Sequence, residues 1–140
     1  MILFGQAIGR PLPFEHRMKY NNFKIICAGS AVIDSIGYSK NQINTGDDVS
    51  GTIKTSVGGV AFNICKQLAL SGFKNVELLT ALGDDTKGRT IIDFCSELGI
   101  ITDNIYICND SETDSYLAIE DIHGLKACLL YTSPSPRDRG

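Results

Sequence analysis

The chain has 140 residues, a length that suits one domain with a single core. Its 43% hydrophobic and 21% charged residues are typical of a globular protein, and its formal net charge of −3 offers no basic surface to a nucleic acid. No apolar run approaches the roughly 20 residues of a membrane-spanning helix, and the apolar start lacks the basic region and cleavage site of a secretory signal. The sequence therefore predicts a cytoplasmic protein whose partners are neither nucleic acids nor membranes.

The first 22 residues are predicted to be an N-terminal extension. Pro11 and Pro13 break any regular element there, and Met18 is a candidate native start just ahead of the first strand. The domain is expected over residues 23–127.

Strand and helix patterns alternate along that domain and predict an α/β fold. The two helices should end at Gly72 and Gly99, and Asp84 or Asp85 should cap the second one. The predicted strands are residues 24–28 with a continuation over 31–36, then 51–57, 76–82, 105–108 and 115–120; the predicted helices are residues 61–71, with Ala61, Ile64, Cys65, Leu68 and Ala69 inward, and 86–98, with Ile91, Ile92, Cys95 and Leu98 inward.

The five cysteines are widely spaced and include no C-x-x-C pair, so the sequence predicts no metal site. Four of them fall in apolar runs, where a reduced cysteine behaves as a small hydrophobic residue. This pattern indicates reduced thiols in a reducing compartment. The cysteines are Cys27, Cys65, Cys95, Cys108 and Cys128.

Residues 128–140 differ from the rest of the chain. They have no hydrophobic periodicity, and Pro134 and Pro136 argue against a closing strand or helix. Residues 128–138 are also identical to one reading frame of a common transposase-end sequencing adapter. We therefore expect this tail to be non-native, with a natural Ser/Pro-rich tail as the alternative.

Two glycine-containing segments predict a small-molecule site. Residues 58–63 (Gly-Gly-Val-Ala-Phe-Asn) open the first helix, where glycine lets the backbone approach a ligand and the first turn leaves N–H groups unpaired. Residues 83–88 (Gly-Asp-Asp-Thr-Lys-Gly) lie between the next strand and helix. No G-x-G-x-x-G follows a strand, which argues against a dinucleotide-binding oxidoreductase.

With residues 29–34 (Gly-Ser-Ala-Val-Ile-Asp), these segments resemble the N-terminal half of the ribokinase-like (PfkB) carbohydrate kinase family over residues 24–126. The resemblance implies a truncated three-layer α/β/α fold with a small β-lid. Residues 37–39, 58–64 and 113–120 resemble most the branch of the family that phosphorylates the 5′-hydroxyl of pseudouridine. Val32 occupies a position where ribose kinases carry a substrate-binding Asn, which argues against free ribose.

The resemblance implies that the sugar-binding residues lie in this part of the family's fold. Asp34 would accept hydrogen bonds from vicinal hydroxyls, and a lid segment would cover the base. Each residue also has a structural alternative: a turn or cap for Asp34, a tight turn for the glycine pair, plain packing for the tyrosine. The implied substrate-binding residues are Asp34, Gly58, Gly59, Asn63, Thr113 and Tyr116; Asp84 and Asp85 are either caps or near the active site.

The resemblance also implies transfer of a phosphoryl group from ATP, with Mg²⁺, to a sugar or nucleoside hydroxyl. The Gly-Ala-Gly-Asp segment that holds the family's catalytic base does not occur in this sequence. We therefore expect no catalytic residue here, no kinase activity from the chain as written, and, for the intact enzyme, a homodimer formed through its lid strands. Two alternatives stay open: a kinase of the same family for fructose, a deoxysugar or a ribonucleoside, and a non-catalytic sugar-binding relative.

Overall fold

Strands and helices alternate along residues 23–131, the part of the chain that the computed structural model describes. The expectations for residues 1–22, and those for residues 132–140, concern residues outside this part. The described elements are β1 (Ile25–Ala28), β2 (Val32–Tyr38), β3 (Thr52–Gly58), α1 (Val60–Leu70), β4 (Val76–Leu79), β5 (Ala81–Gly83), α2 (Thr86–Glu97), β6 (Tyr106–Cys108), β7 (Ser115–Asp121) and β8 (Gly124–Tyr131).

Two separate two-stranded parallel sheets, β1-β4 and β5-β6, are here together called the parallel layer. β1 pairs with β4, β5 pairs with β6, and both pairings are parallel. The predicted strand over residues 76–82 is interrupted at Thr80, whose carbonyl accepts a hydrogen bond from Tyr106 N (2.9 Å). Ile101 adds a parallel bridge to Glu77.

Both helices form where the sequence predicts them, within one residue at each end. They share one core with the strands, and the rings of Phe62 on α1 and Phe94 on α2 lie 6.0 Å apart. The prediction that Ile64 points inward is wrong, because the buried stripe of α1 is centred on Phe62 and Cys65 and leaves Ile64 at its margin. The fully buried members of this core are Phe62, Cys65, Val76, Leu78, Leu82, Ile91 and Cys95.

A four-stranded sheet, here called the lid sheet, has the strand order β3-β2-β7-β8. β2 runs antiparallel to β3 and parallel to β7, and β7 and β8 form an antiparallel hairpin. The sequence suggested that β2 continues β1, but the two strands belong to different sheets. The chain leaves the parallel layer at Gly29, whose φ of 147° no other residue type readily adopts.

The expectation that residues from 128 onward form no strand is wrong for residues 128–131. They complete β8, paired with β7 from Gly124 to Tyr131. All eight residues of β8 are exposed, so its pairing depends on backbone hydrogen bonds and not on the buried side chains that a hydrophobic pattern reveals. Pro134 and Pro136 lie outside the described residues.

All five cysteines are free thiols, as predicted. Neither helix within residues 23–131 is long and apolar enough to cross a membrane.

Candidate functional site

The carboxylate of Asp34 lies directly against the backbone of Gly58. Asp34 is the third residue of β2 and is half-buried. A Cβ on Gly58 would lie 1.9 Å from Asp34 Oδ2, so only glycine leaves room for this carboxylate. No hydrogen bond or ion pair within residues 23–131 ends on it, and burial raises the pKa of Asp34. A half-buried carboxylate without a partner is a strong acceptor for a ligand's hydroxyl groups.

Gly59 joins β3 to helix α1 in a conformation that excludes a side chain. Its φ is 96°, and a Cβ there would lie 2.5 Å from the carbonyl oxygen of Ser30. Because this N-cap has no side chain, Ser30 caps the helix from the β1–β2 connection: its Oγ accepts from Val60 N at 3.2 Å and its carbonyl from Phe62 N at 3.4 Å. Ser30 was not predicted to have a role. The signal for it is a glycine at an N-cap, which needs a capping group from elsewhere.

Tyr116 on β7 is the cross-strand neighbour of Asp34 on β2. Cross-strand neighbours point to the same face of a sheet, so the half-buried tyrosine ring lies beside the unpartnered carboxylate. Burial raises the pKa of Tyr116, and the Cys128 thiol and the Asp34 charge raise it further. The phenol therefore stays neutral and can donate a hydrogen bond.

Asn63 lies in the first turn of α1, where its backbone N–H bonds Gly59 O at 2.9 Å. Its side chain is exposed, with both donor and acceptor capacity available. The structure thus brings Asp34, Gly58 and Tyr116 together and places Gly59 and Asn63 on the adjoining helix start.

Thr113 is placed differently from the other predicted binding residues. It is 1% exposed, and its hydroxyl donates to Asp85 Oδ1 (2.7 Å) and accepts from Gly83 N (3.0 Å). Its backbone N–H donates to Asp85 Oδ2 (2.8 Å). The hydroxyl is therefore fully engaged within the protein.

Asp85 is the N-cap of helix α2, as one of the two sequence alternatives predicted. Its Oδ1 also accepts from Gly88 N at 2.7 Å. Burial would raise the pKa of Asp85, but the hydrogen bonds from Gly88 and Thr113 lower it below the usual range. Asp84 is exposed and pairs with Arg89 at 2.9 Å.

Comparison with known proteins places these features in a family. The sequence model of the pfkB family carbohydrate kinases matches residues 22–134. The chain is 38% identical over 100 residues to pseudouridine kinase of Escherichia coli (strain K12), which covers 71% of this chain and 32% of that protein.

The solved structures that are similar to the chain include two sugar kinases from different organisms. A carbohydrate kinase from Agrobacterium tumefaciens matches with a TM-score of 0.68 and 28% identity, over 77% of this chain and 35% of the other. Ribokinase from Cryptococcus neoformans var. grubii serotype A, in complex with ADP, matches with a TM-score of 0.62 and 26% identity, over 77% of this chain and 34% of the other.

The parallel layer, the lid sheet and the glycine-lined corner between β3 and α1 define a ribokinase-like α/β fold, as predicted. The chain belongs to the PfkB carbohydrate kinase family. It spans about a third of the length of the curated relative described above.

Proposed function

We propose that this chain carries the sugar-binding part of an ATP-dependent kinase that phosphorylates the 5′-hydroxyl of pseudouridine. One observation carries the proposal: the unpartnered carboxylate of Asp34 lies against Gly58 and beside Tyr116. This corner offers a charged acceptor, approachable backbone and an aromatic ring. These groups match a ribose with vicinal hydroxyls and an attached base. The 38% identity to a pseudouridine kinase supports this choice of nucleoside.

In this proposal each residue has a distinct role. Asp34 accepts hydrogen bonds from two ribose hydroxyls, and the backbone of Gly58 and Gly59 contacts the sugar ring. Asn63 donates to and accepts from the sugar, and Tyr116 covers the base. Thr113, whose hydroxyl is engaged by Asp85 and Gly83, acts on the site indirectly.

The corner at the start of α1 does not fit the ATP phosphates. It holds the carboxylate of Asp34, which repels a phosphate. Within residues 23–131 no group of three or more His, Cys, Asp or Glu side chains could hold a metal ion. We assign ATP and Mg²⁺ to residues outside this part, together with the catalytic base.

A ligand panel tests the proposal. The complete gene product is mixed with pseudouridine, uridine, ribose or fructose, and its thermal unfolding is followed. A ligand at 100 times its dissociation constant stabilises the folded state by about 2.7 kcal/mol, which raises the melting temperature by several degrees. We expect the largest rise with pseudouridine. A larger rise with another compound contradicts the nucleoside assignment, and no rise with any of the four contradicts sugar binding.

A further inference from the structure

The hydrogen bonds around Asp85 join two parts of the molecule. Thr113 lies two residues before the lid strand β7. Asp85 instead caps helix α2, which belongs with α1 and the parallel layer to what we call the α/β unit. One carboxylate accepts three hydrogen bonds, two from Thr113 and one from Gly88 N, at 2.7–2.8 Å. We call Gly83, Asp85, Gly88 and Thr113 the lid anchor.

Two glycines make the lid anchor close-fitting. A Cβ on Gly83 would lie 2.4 Å from the carbonyl oxygen of Ser111 and 2.6 Å from Thr113 N. A Cβ on Gly88 would lie 2.4 Å from Gly83 O and 3.0 Å from Thr113 Oγ1. The segment that leads into β7 therefore packs directly against the backbone of Gly83, at the end of β5, and of Gly88, in the first turn of α2.

The pairing of β7 with β2 begins within three residues of the lid anchor. The carbonyl of Asp114, the residue after Thr113, accepts a hydrogen bond from Ile33 N at 3.1 Å, and Ser115 then pairs with Ile33. Tyr116 follows as the neighbour of Asp34. A slip of one residue in this pairing would move the Tyr116 ring to the opposite face of the lid sheet.

We propose that Asp85 and Thr113 are positioning residues: they fix the start of β7 on the α/β unit and thereby hold Tyr116 beside Asp34. The ligand readout of this inference rests on the proposed function. The inference gives a role to the Gly-Asp-Asp segment and to Thr113 that requires neither residue to contact the sugar. Asp84, next in the sequence, has no part in it, because its side chain pairs with Arg89 at the surface.

A double-mutant cycle on the complete gene product tests the inference. Thr113→Val removes the hydroxyl at nearly constant volume, Thr113→Ser retains it, and each is combined with Tyr116→Ala. With Tyr116 present, we expect Thr113→Val to weaken pseudouridine binding about tenfold, and with Tyr116→Ala less than twofold. Thr113→Ser should bind within about twofold of the parent protein.

A second pair of variants covers the case in which Thr113→Val does not fold. Asp85→Asn keeps the size of the side chain but weakens the acceptor of three hydrogen bonds, and Asp84→Asn is its matched control. Asp85→Asn should reproduce the dependence on Tyr116, whereas Asp84→Asn should leave binding unchanged. Equal losses with and without Tyr116, or no recovery in Thr113→Ser, would overturn the positioning role.

Hydrogen exchange separates a failure of this inference from a failure of the proposed function. Thr113→Val should accelerate amide exchange in β7 more than in β4, whether or not any ligand binds. If the parent protein binds none of the four compounds, the proposed sugar binding is refuted. The exchange result then tests by itself whether the lid anchor fixes the start of β7. Uniform acceleration across β4 and β7, or none, overturns it.

Discussion

The carboxylate of Asp34 fills the space beside the backbone of Gly58, and the site depends on Gly58 having no side chain there. The carboxylate of Asp34 occupies the position that a Gly58 side chain would take, and no other described group bonds it. The sequence motif suggested that Gly58 lets a ligand approach the backbone. The structure adds that Gly58 also lets the protein's own carboxylate lie directly against the backbone.

Gly58→Ala should therefore impair ligand binding through Asp34. The new methyl group would force the carboxylate away, and the loss of one charge-assisted hydrogen bond predicts about a tenfold weaker affinity, about 1.4 kcal/mol. Titration calorimetry with pseudouridine measures this. Gly37→Ala is the matched control in the lid sheet, because its Cβ would lie 3.8 Å from its nearest neighbour, Ala118 O. Similar affinities for the two variants would show that Asp34 does not contact the ligand.

Residue types and spacing predicted much of the candidate site but not the hydrogen-bond partners. Asp34, Gly58 and Tyr116 were identified in the sequence, and the strand register brings them together. Thr113 was assigned to the sugar because a threonine in a lid motif carries no sign of its burial. Its engagement by Asp85 depends on contacts between residues 28 positions apart, which no local pattern encodes.

Among the elements, the long connection between β2 and β3 is bonded to β7 by the backbone of Ser39, whose N–H donates to Glu120 O at 3.0 Å, and by one buried carboxylate. Asp121, at the end of β7, accepts hydrogen bonds from Ile43 N (2.8 Å) and His123 N (2.7 Å) and pairs with Lys126 (3.2 Å). Burial would raise the pKa of Asp121, but these hydrogen bonds and the charge of Lys126 lower it. The connection and the β7–β8 turn are thus joined at one end of the lid sheet.

This lowered pKa predicts a pH dependence of stability. Because the pKa of Asp121 is lower in the folded than in the unfolded chain, its contribution is complete above about pH 4 and is lost as the pH falls from there towards the folded pKa. Asp121→Asn should be less stable than the parent protein at pH 7, with a smaller difference at pH 3. Urea unfolding at both values measures this, with Asp48→Asn in the same connection as an exposed control. A difference that does not change between the two values contradicts the assignment.

Element boundaries show where hydrophobic patterns stop being informative. The helices were predicted to within a residue because their apolar spacing and terminal Asp85, Gly72 and Gly99 are local signals. The transfer of the chain from β1 to β2 was missed, because both strands read as one apolar run and the sheet to which each belongs is set by tertiary pairing. β8 was missed because it buries no side chain.

Over the whole molecule, the two faces of the lid sheet differ in character. Asp34, Lys54 and Tyr116 lie on the face that carries the candidate site. The opposite face holds five large apolar side chains from three strands, and each is at least 40% exposed: Ile53 on β3, Leu117 and Ile119 on β7, and Leu129 and Tyr131 on β8. Exposed apolar patches of this kind mark interaction surfaces. We propose that the intact enzyme forms a homodimer that covers this face.

Ile53→Lys should abolish that dimer. A charge at the centre of a buried apolar interface loses its hydration without gaining a partner, a penalty of several kcal/mol that a two-fold interface incurs twice. Light scattering after size exclusion measures the mass of the complete gene product at micromolar concentration. Thr52→Lys is the control, because it adds the same charge to β3 on the face that carries the candidate site. A parent protein that is already monomeric, or an Ile53→Lys variant that stays dimeric, would rule out this face as the contact. Retained pseudouridine binding by monomeric Ile53→Lys would establish that each subunit holds a complete sugar site.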